Sequence, residues 1–445
     1  MIYILLFWML FLLIFCIYVF NFEIMSPSII SVGMFSVATL FAALNKTNWN
    51  IELSVKSFVL LSSGVLCMVI TELFVKSLCR KRDIYTQQNC ENKEQPYFLR
   101  INKPFSYLII IFSFCSVLLY MRAALSLAND SASIFGGSVF FRINQFAKRS
   151  LELGLEGGIS GVYVQLGKFV MGFTYIYLYK AINNIIYGEK IKSNLDTILM
   201  LLLYLILIIF QGTRTPIINL VIFGIIVSYA KYMQKRNWSI KKTTGRKYIK
   251  RIIQIGLIAI PSFFIFGEYI LGRRTGNTLW QYVSEYIAGG IQHFDQYVKN
   301  PIAPNQHFGE ETLAYIYQGL YKLGLSDFTR TIHLEYRWTN SFIHGNIYTF
   351  FRRPLQDYGI LGMYLFTIIV YSLYCYFYYK KVRYVQPSLK TDAIMFLIAY
   401  LYYPLVYVPM DSSGISAIIS IGNLTLYIFL YIAFRVIFSL KIKFK

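Results

Sequence analysis

All four histidines of the chain, His293, His307, His333 and His344, fall within residues 272–359. Two arginine pairs, Arg273-Arg274 and Arg352-Arg353, lie in the same stretch, with Arg330 and Arg337 between them. An imidazole titrates near neutral pH and can take a proton from a hydroxyl. A guanidinium fork matches phosphate oxygens in geometry as well as in charge. Together these residue types suit a bound anion such as a lipid pyrophosphate, and any chemistry of the chain is expected in this stretch. The densest string runs from Asn340 to Gly362 and includes His344, Asn346, Tyr348, Thr349, Arg352, Arg353 and Asp357.

Another arginine, Arg214, stands in the turn Gln211-Gly212-Thr213-Arg214-Thr215-Pro216. Thr215 is placed to cap the helix that Pro216 opens, so free N–H groups and the positive dipole end would face the same anion as Arg214. His344 is the first choice for a general base and Asp357 the second, with Glu335, His333 and residues 129–158 still open. Each residue also has a plain structural role. Arg214 can snorkel at a helix end, and the paired arginines can bond Glu268 or Asp357. His344 can bond a loop carbonyl, and Asp357 can act as a capping carboxylate. No His/Cys cluster has metal-ligand spacing and no nucleophile motif is present, so neither metal nor cofactor is expected.

The elements that must hold these residues follow from composition. Of 445 residues, 56% are hydrophobic and 14% charged, against roughly 25% charged in a soluble domain. Apolar runs of about 20 residues recur from end to end, the mark of a polytopic helical membrane protein. They are continuous rather than alternating, unlike barrel strands. The expectation is an all-α single domain over residues 1–445 with about eleven transmembrane helices. They are placed near 2–20, 27–44, 57–75, 107–127, 159–179, 195–210, 216–232, 252–271, 360–379, 393–409 and 415–437. One large extracytoplasmic loop, 272–359, separates the eighth from the ninth. Within it Trp280, Val283, Ile287, Ile291, Phe294 and Val298 recur at three- and four-residue steps, which predicts an amphipathic helix lying in the outer interface.

The net charge of +22 is topological rather than a sign of nucleic acid. Basic residues crowd 76–103, 231–251, 380–383 and the tail, all on one side when the spans alternate. That puts the N-terminus outside and the C-terminus in the cytoplasm. The six cysteines fall in spans (Cys16, Cys67, Cys115, Cys375) or on the cytoplasmic side (Cys79, Cys90), so no disulfides are expected. The first twenty residues lack a basic leader region and a small-residue cleavage site, and read as a retained span.

The string Asn346-x-Tyr348-Thr349-x-Phe351 followed by Asp357-Tyr358-Gly359-x-x-Gly362 resembles the pattern of bacterial oligosaccharide repeat-unit polymerases, the Wzy type that builds O-antigen or capsule. The Gly212-Thr213-Arg214 turn is similar to the Gly-Ser-Arg turn those proteins place between two spans. Span number and the single long outside loop agree over most of the chain. The resemblance implies a GT-C-like membrane glycosyltransferase of the bacterial plasma (inner) membrane. It would join undecaprenyl-pyrophosphate-linked oligosaccharides, one as donor and one as acceptor. A chain-length regulator, a flippase and membrane lipids would be its partners. It further implies Arg214, Arg273, Arg274, Arg352 and Arg353 as pyrophosphate ligands, and Arg330, Arg337, Asn346, Tyr348 and Thr349 around the glycan. The first outside loop offers only Glu52, and no outside Asp-x-Asp occurs. A metal-independent mechanism is therefore implied, with arginines stabilising the departing pyrophosphate. The rival readings are an O-antigen ligase and a non-enzymatic flippase or exporter of lipid-linked oligosaccharide. The exporter would carry charges buried mid-span and paired helices of similar pattern.

The topology is open to direct measurement. With native cysteines replaced, a single cysteine at Asn305 is expected to react with an impermeant maleimide added outside, and one at Thr243 is not. The reverse labelling pattern would move the whole 272–359 stretch to the other side of the membrane.

Overall fold

The computed structural model describes residues 1–89, 97–149, 158–236, 238, 250–251, 254, 256, 261–262, 265–267, 278–339, 343–383, 385–411 and 413–440. Most of the expected span at 252–271 lies outside the described residues, and so do Glu268, Arg273 and Arg274.

In hydrocarbon every backbone N–H and C=O must be satisfied within its own segment, so the long apolar runs have helix as their one open form. They appear as α1 (Ile2–Val19), α2 (Pro27–Leu44), α3 (Val55–Asn89), α4 (Lys103–Asp130), α6 (Gly161–Ile186), α7 (Leu195–Phe210), α8 (Thr215–Lys235), α11 (Arg352–Phe377), α12 (Leu389–Tyr400) and α15 (Ile421–Ser439). Shorter helices are α5 (Val139–Arg149), α10 (Ala314–Lys322), α13 (Tyr403–Tyr407) and α14 (Gly414–Ile418), and α9 (Leu279–Lys299) lies in the long loop. A hairpin of three-residue strands, β1 (Arg337–Thr339) and β2 (Ile343–Gly345), pairs Trp338 with His344. Among the described residues nine helical segments are long and apolar enough to cross a membrane. α6 has the length but carries Gln165, Lys168, Lys180, Asn183 and Asn184, and stands outside that set.

Several boundaries differ from expectation for local reasons. Ser26 caps α2 by accepting from the Ile29 N–H, as its Ser-Pro pair predicts. At α8 the cap falls one residue early: Arg214 is the N-cap, without a side-chain cap bond, and Thr215 is already helical. The span expected at 393–409 divides into α12 and α13, because Pro404 in the first turn of α13 has no N–H to continue α12. The span expected at 415–437 divides at Ser420, which caps α15 through the Asn423 N–H. α3 runs on as helix to Asn89 through residues expected to be a loop.

Lipid supplies no apolar driving force between helices, so close approach of small residues and polar contacts tie the bundle together. α2 buries Ser28, Ser31, Ser36, Ala38, Thr39, Ala42 and Ala43. Tyr371 of α11 donates to Ser31 at 2.5 Å, and Tyr379 donates to Glu72 at 2.8 Å. Glu72 also accepts from the Ser28 N–H at 2.7 Å. One end of the bundle gathers the basic helix termini. There Lys231 and Asp392 form a wholly buried ion pair at 2.6 Å, and Arg383 meets Glu23 at 2.8 Å. The other end carries the long loop.

α9 is the largest departure. An interface helix would leave its polar face wet, yet residues 289–295 are buried without a break, including Gln292, His293 and Asp295. Polar partners on both sides explain it. Asp295 accepts from the Ser54 N–H and hydroxyl at 2.9 and 2.8 Å and pairs with Lys299 at 2.7 Å. Trp280 donates to Asn45 at 3.1 Å and stacks on Phe41. α9 is therefore a cross-beam set into the loop end of the bundle.

Gly290 makes that seating possible, since a Cβ there would stand 2.2 Å from the Pro409 carbonyl oxygen. Gly290→Ala is expected to cost about 1–3 kcal/mol through overpacking against backbone, seen as an early thermal transition in detergent. Gly161→Ala, with nothing within 4 Å of the new methyl, should melt like wild type.

Candidate functional site

Arg352 opens α11 and is fully buried. A bare guanidinium could not rest there, because desolvating an unpaired charge is far too costly. Its Nη1 donates to Glu311 at 3.0 Å, and its Nη2 donates to both oxygens of Glu335 at 3.0 and 3.1 Å. Its flat face lies over the Tyr297 ring of α9, 3.7 Å from the centroid. Arg330 reaches Glu310 at 2.8 Å and Glu311 at 3.5 Å, and Arg337 reaches Glu335 at 3.3 Å. Arg353 donates to two backbone carbonyls, Glu311 at 2.8 Å and Ile332 at 2.5 Å. Arg330, Arg337 and Arg352 thus pair with Glu310, Glu311 and Glu335, and Arg353 sits beside them within the field of Glu311 and Asp411.

Asp357 sits one turn beyond Arg353, before the break at Gly359, whose φ of 68° interrupts the helix. Its carboxylate accepts from the Thr312 N–H and hydroxyl, both at 2.7 Å, from the Glu311 N–H at 3.1 Å and from Asn305 Nδ2 at 2.5 Å. Four donors fill the lone-pair positions a carboxylate offers. Asp357 thus pins the 305–312 segment to α11, and in this arrangement it has no oxygen left for a substrate proton.

The other expected residues divide. Tyr348 is fully buried and donates to the Glu335 carbonyl at 3.0 Å; Thr349 is fully buried beside it. Asn346 is half-buried. The side chain of His344 lies outside the described residues. Arg214 is 5% exposed, donates from Nη2 to the Tyr286 hydroxyl at 2.8 Å, and stacks over the rings of Tyr282 and Tyr286. Its turn is held from above by α5, where Asn144 donates to the Gly212 carbonyl at 2.7 Å. Arg214 and Arg352 therefore both rest on tyrosines of α9, but at opposite ends. Tyr286 and Tyr297 are separated by about 16 Å along the axis at 1.5 Å per residue. The two arginines thus meet α9 at different points, and Arg273 and Arg274 lie outside the described residues.

Sequence reasoning missed Tyr297, Glu310, Glu311 and the place of His293. His293 is buried with Nδ1 2.9 Å from the Ile347 carbonyl and its ring against Tyr348. Gly345 makes room for it, since a Cβ would stand 2.9 Å from the imidazole Cε1. The adjacent acids Glu310-Glu311 in an otherwise basic stretch were the available signal. Among the described residues no group of three or more His, Cys, Asp or Glu could hold a metal ion. Comparison with protein-family models, curated proteins and solved structures finds no match.

Electrostatics divides the two carboxylates that share Arg352. Burial pushes the Glu311 carboxyl up to about 7, against the pull of Arg352 and Arg353. Burial also raises Glu335, but Arg352 and Arg337 outweigh it and hold that group below the usual glutamate range. For a carboxylate whose folded pKa is raised, the folded chain holds the proton more tightly. Its contribution to stability is then greatest in acid and lost as pH rises from about 4.5 toward 7. Wild type is expected to lose about 2–3 kcal/mol of stability from this group between pH 5 and 8. Glu311→Gln should flatten that stretch of the denaturation-midpoint profile. Equal slopes in the two proteins would contradict a buried, protonatable Glu311.

Proposed function

We propose that this chain is a membrane glycosyltransferase that joins undecaprenyl-pyrophosphate-linked oligosaccharide repeat units into a surface polysaccharide, O-antigen or capsule. On this reading it works at the outer face of the bacterial plasma membrane, with about eleven spans, the N-terminus outside and the C-terminus in the cytoplasm. One observation carries the reading: the two motif-bearing segments, 211–216 and 346–362, both seat an arginine on the tyrosines of α9 at the end of the bundle away from the basic termini. Residues 138 positions apart (352 − 214) are thereby brought to one helix.

In the reaction the bond between the donor's anomeric carbon and its pyrophosphate oxygen breaks, and a bond from that carbon to an acceptor hydroxyl oxygen forms. The hydroxyl proton goes to a base, and the undecaprenyl pyrophosphate leaves. Arg214, with Arg273 and Arg274 of the 272–359 stretch, stabilises the leaving charge. His344, on β2 next in the hairpin to Arg337, accepts the proton. Arg352 and Arg353 hold the loop frame that carries Arg330, Arg337, Asn346, Tyr348 and Thr349 around the glycan. The exporter reading draws on the buried charges Glu72, Lys231 and Asp392. Lys231 and Asp392 lie in the last and first turns of their helices and pair with each other, whereas Glu72 lies midway along α3 and is tied there by Ser28 and Tyr379.

Purified protein with lipid-linked repeat units tests the proposal. His344→Ala is expected to lose about 10²–10⁴-fold in turnover while still binding the lipid-linked substrate. Arg214→Lys, which keeps charge but loses the fork, should also be impaired. Normal polymer from both variants at matched expression would remove them from the mechanism. In cells, deletion should leave glycan of one repeat unit; lipid A core bare of glycan would point to a ligase, and no exported unit to a flippase.

A further inference from the structure

Between the two arginines that rest on α9, a third segment crosses the helix. A Cβ on Gly290 would stand 2.2 Å from the Pro409 carbonyl oxygen and 3.3 Å from the Met410 Cα. Gly290 falls between Tyr286, which carries Arg214, and Tyr297, which carries Arg352. The next residue of the crossing segment is Asp411. Its Oδ1 accepts from the Ser413 N–H and hydroxyl at 2.6 and 2.7 Å. Its Oδ2 stands 3.5 Å from where a Cβ on Gly414 would be, and takes no hydrogen bond or ion pair among the described residues. The neighbouring carboxylates differ. Glu310, Glu311 and Glu335 pair with arginines, Asp295 pairs with Lys299, and Asp357 takes four donors. Asp411 is half-buried, and one of its oxygens is left for something outside the chain.

Tyrosines gather round it. Tyr315 of α10 lies beside Asp411 and Ser413. Tyr403 and Tyr407 of α13 have ring centroids 6.0 Å apart, and Tyr407 donates to Asn219 of α8 at 2.9 Å. Both stand in the field of Asp411, as Arg353 does. The hydroxyl of the half-buried Tyr403 likewise takes part in no hydrogen bond among the described residues. The charges restrict the ligand. A phosphate would meet the Asp411 carboxylate, and a simple cation would meet Arg353. A neutral polyol offers hydroxyl donors to the carboxylate and acceptors to a phenol. The C–H face of a pyranose is also apolar enough to lie on a tyrosine ring.

We propose that Asp411, Tyr315 and Tyr403 form a saccharide subsite. Asp411 Oδ2 accepts from a sugar hydroxyl, the Tyr403 hydroxyl makes a second bond, and the tyrosine rings cover one face of the sugar. The subsite rests on the reading that the substrate is a lipid-linked oligosaccharide. It places one neutral sugar of that substrate between the two arginines, on residues outside both motifs.

The test uses the full chain in phosphatidylcholine nanodiscs. It is titrated in a calorimeter with the repeat-unit oligosaccharide released from its lipid, and separately with choline and inorganic phosphate. Wild type is expected to bind the oligosaccharide. Asp411→Asn, which can put a donor where Oδ2 accepts, should weaken binding about tenfold or more. Tyr403→Phe, which keeps the ring, should weaken it about threefold or more. Tyr315→Leu, which removes a ring, should weaken it in the same direction. If Asp411→Asn melts early, the two tyrosine variants carry the test. Absence of oligosaccharide binding to wild type overturns the subsite, and so does undiminished binding in variants that melt like wild type. Choline or phosphate bound more tightly than the oligosaccharide, and lost in Asp411→Asn, makes it an ion site and overturns the saccharide assignment. The outcome is separable from the glycosyltransferase reading. Asp411-dependent binding in a chain that makes no polymer keeps the subsite and removes that reading. Polymerisation by Asp411→Asn with unaltered KM does the opposite.

Discussion

The buried guanidinium of Arg352 is the contact on which the loop end of the molecule depends. It draws Glu311 from the segment before α10 and Glu335 from the segment after it, and it stands on Tyr297 of α9. Removing one partner from such a pair leaves an uncompensated charge, typically a loss of 3–5 kcal/mol. The described residues of 305–357 are therefore tied to one another and to α9. Their order is electrostatic at the centre and hydrogen-bonded at the edge, where Asp357 takes four donors.

That arrangement assigns different duties to residues that look equivalent as letters. Arg352 and Arg353 adjoin, yet Arg352 bonds directly to carboxylates while Arg353 donates to backbone carbonyls within the field of Glu311 and Asp411. Arg330 and Arg337, each partly exposed, keep an edge toward the outside while their other side braces Glu310 and Glu335. A cluster built in this way keeps its geometry because its innermost charges are already paired.

Much of the bundle was legible in the sequence, because lipid leaves an apolar run no alternative to helix. α2 begins and ends where its Ser-Pro start and apolar content place it. The contacts of the loop were less legible. Glu311 meets Arg352 across 41 residues, and Ser54 meets Asp295 across 241. Nothing local records such pairings. The polar side of α9 reads as a wet face when its partners are unknown, since Gln292 and Asp295 give no sign that another segment will satisfy them. The donors to Asp357 were not legible, because they are backbone N–H groups, a hydroxyl and an amide from residues 305–312. The break inside the spans at Pro404 was available from the proline alone.

Gly359 separates two mechanical regimes. On one side the chain is lodged in a network of ion pairs; on the other it is a helix in a fluid whose thickness varies from place to place. Spans accommodate a thicker or thinner bilayer chiefly by changing tilt. A rigid helix through position 359 would transmit every such change of angle to Arg352. With a left-handed glycine there, the lower segment can lean while the upper turn stays with its carboxylates. The ion-paired end of the bundle is thereby insulated from the elastic state of the membrane that carries it.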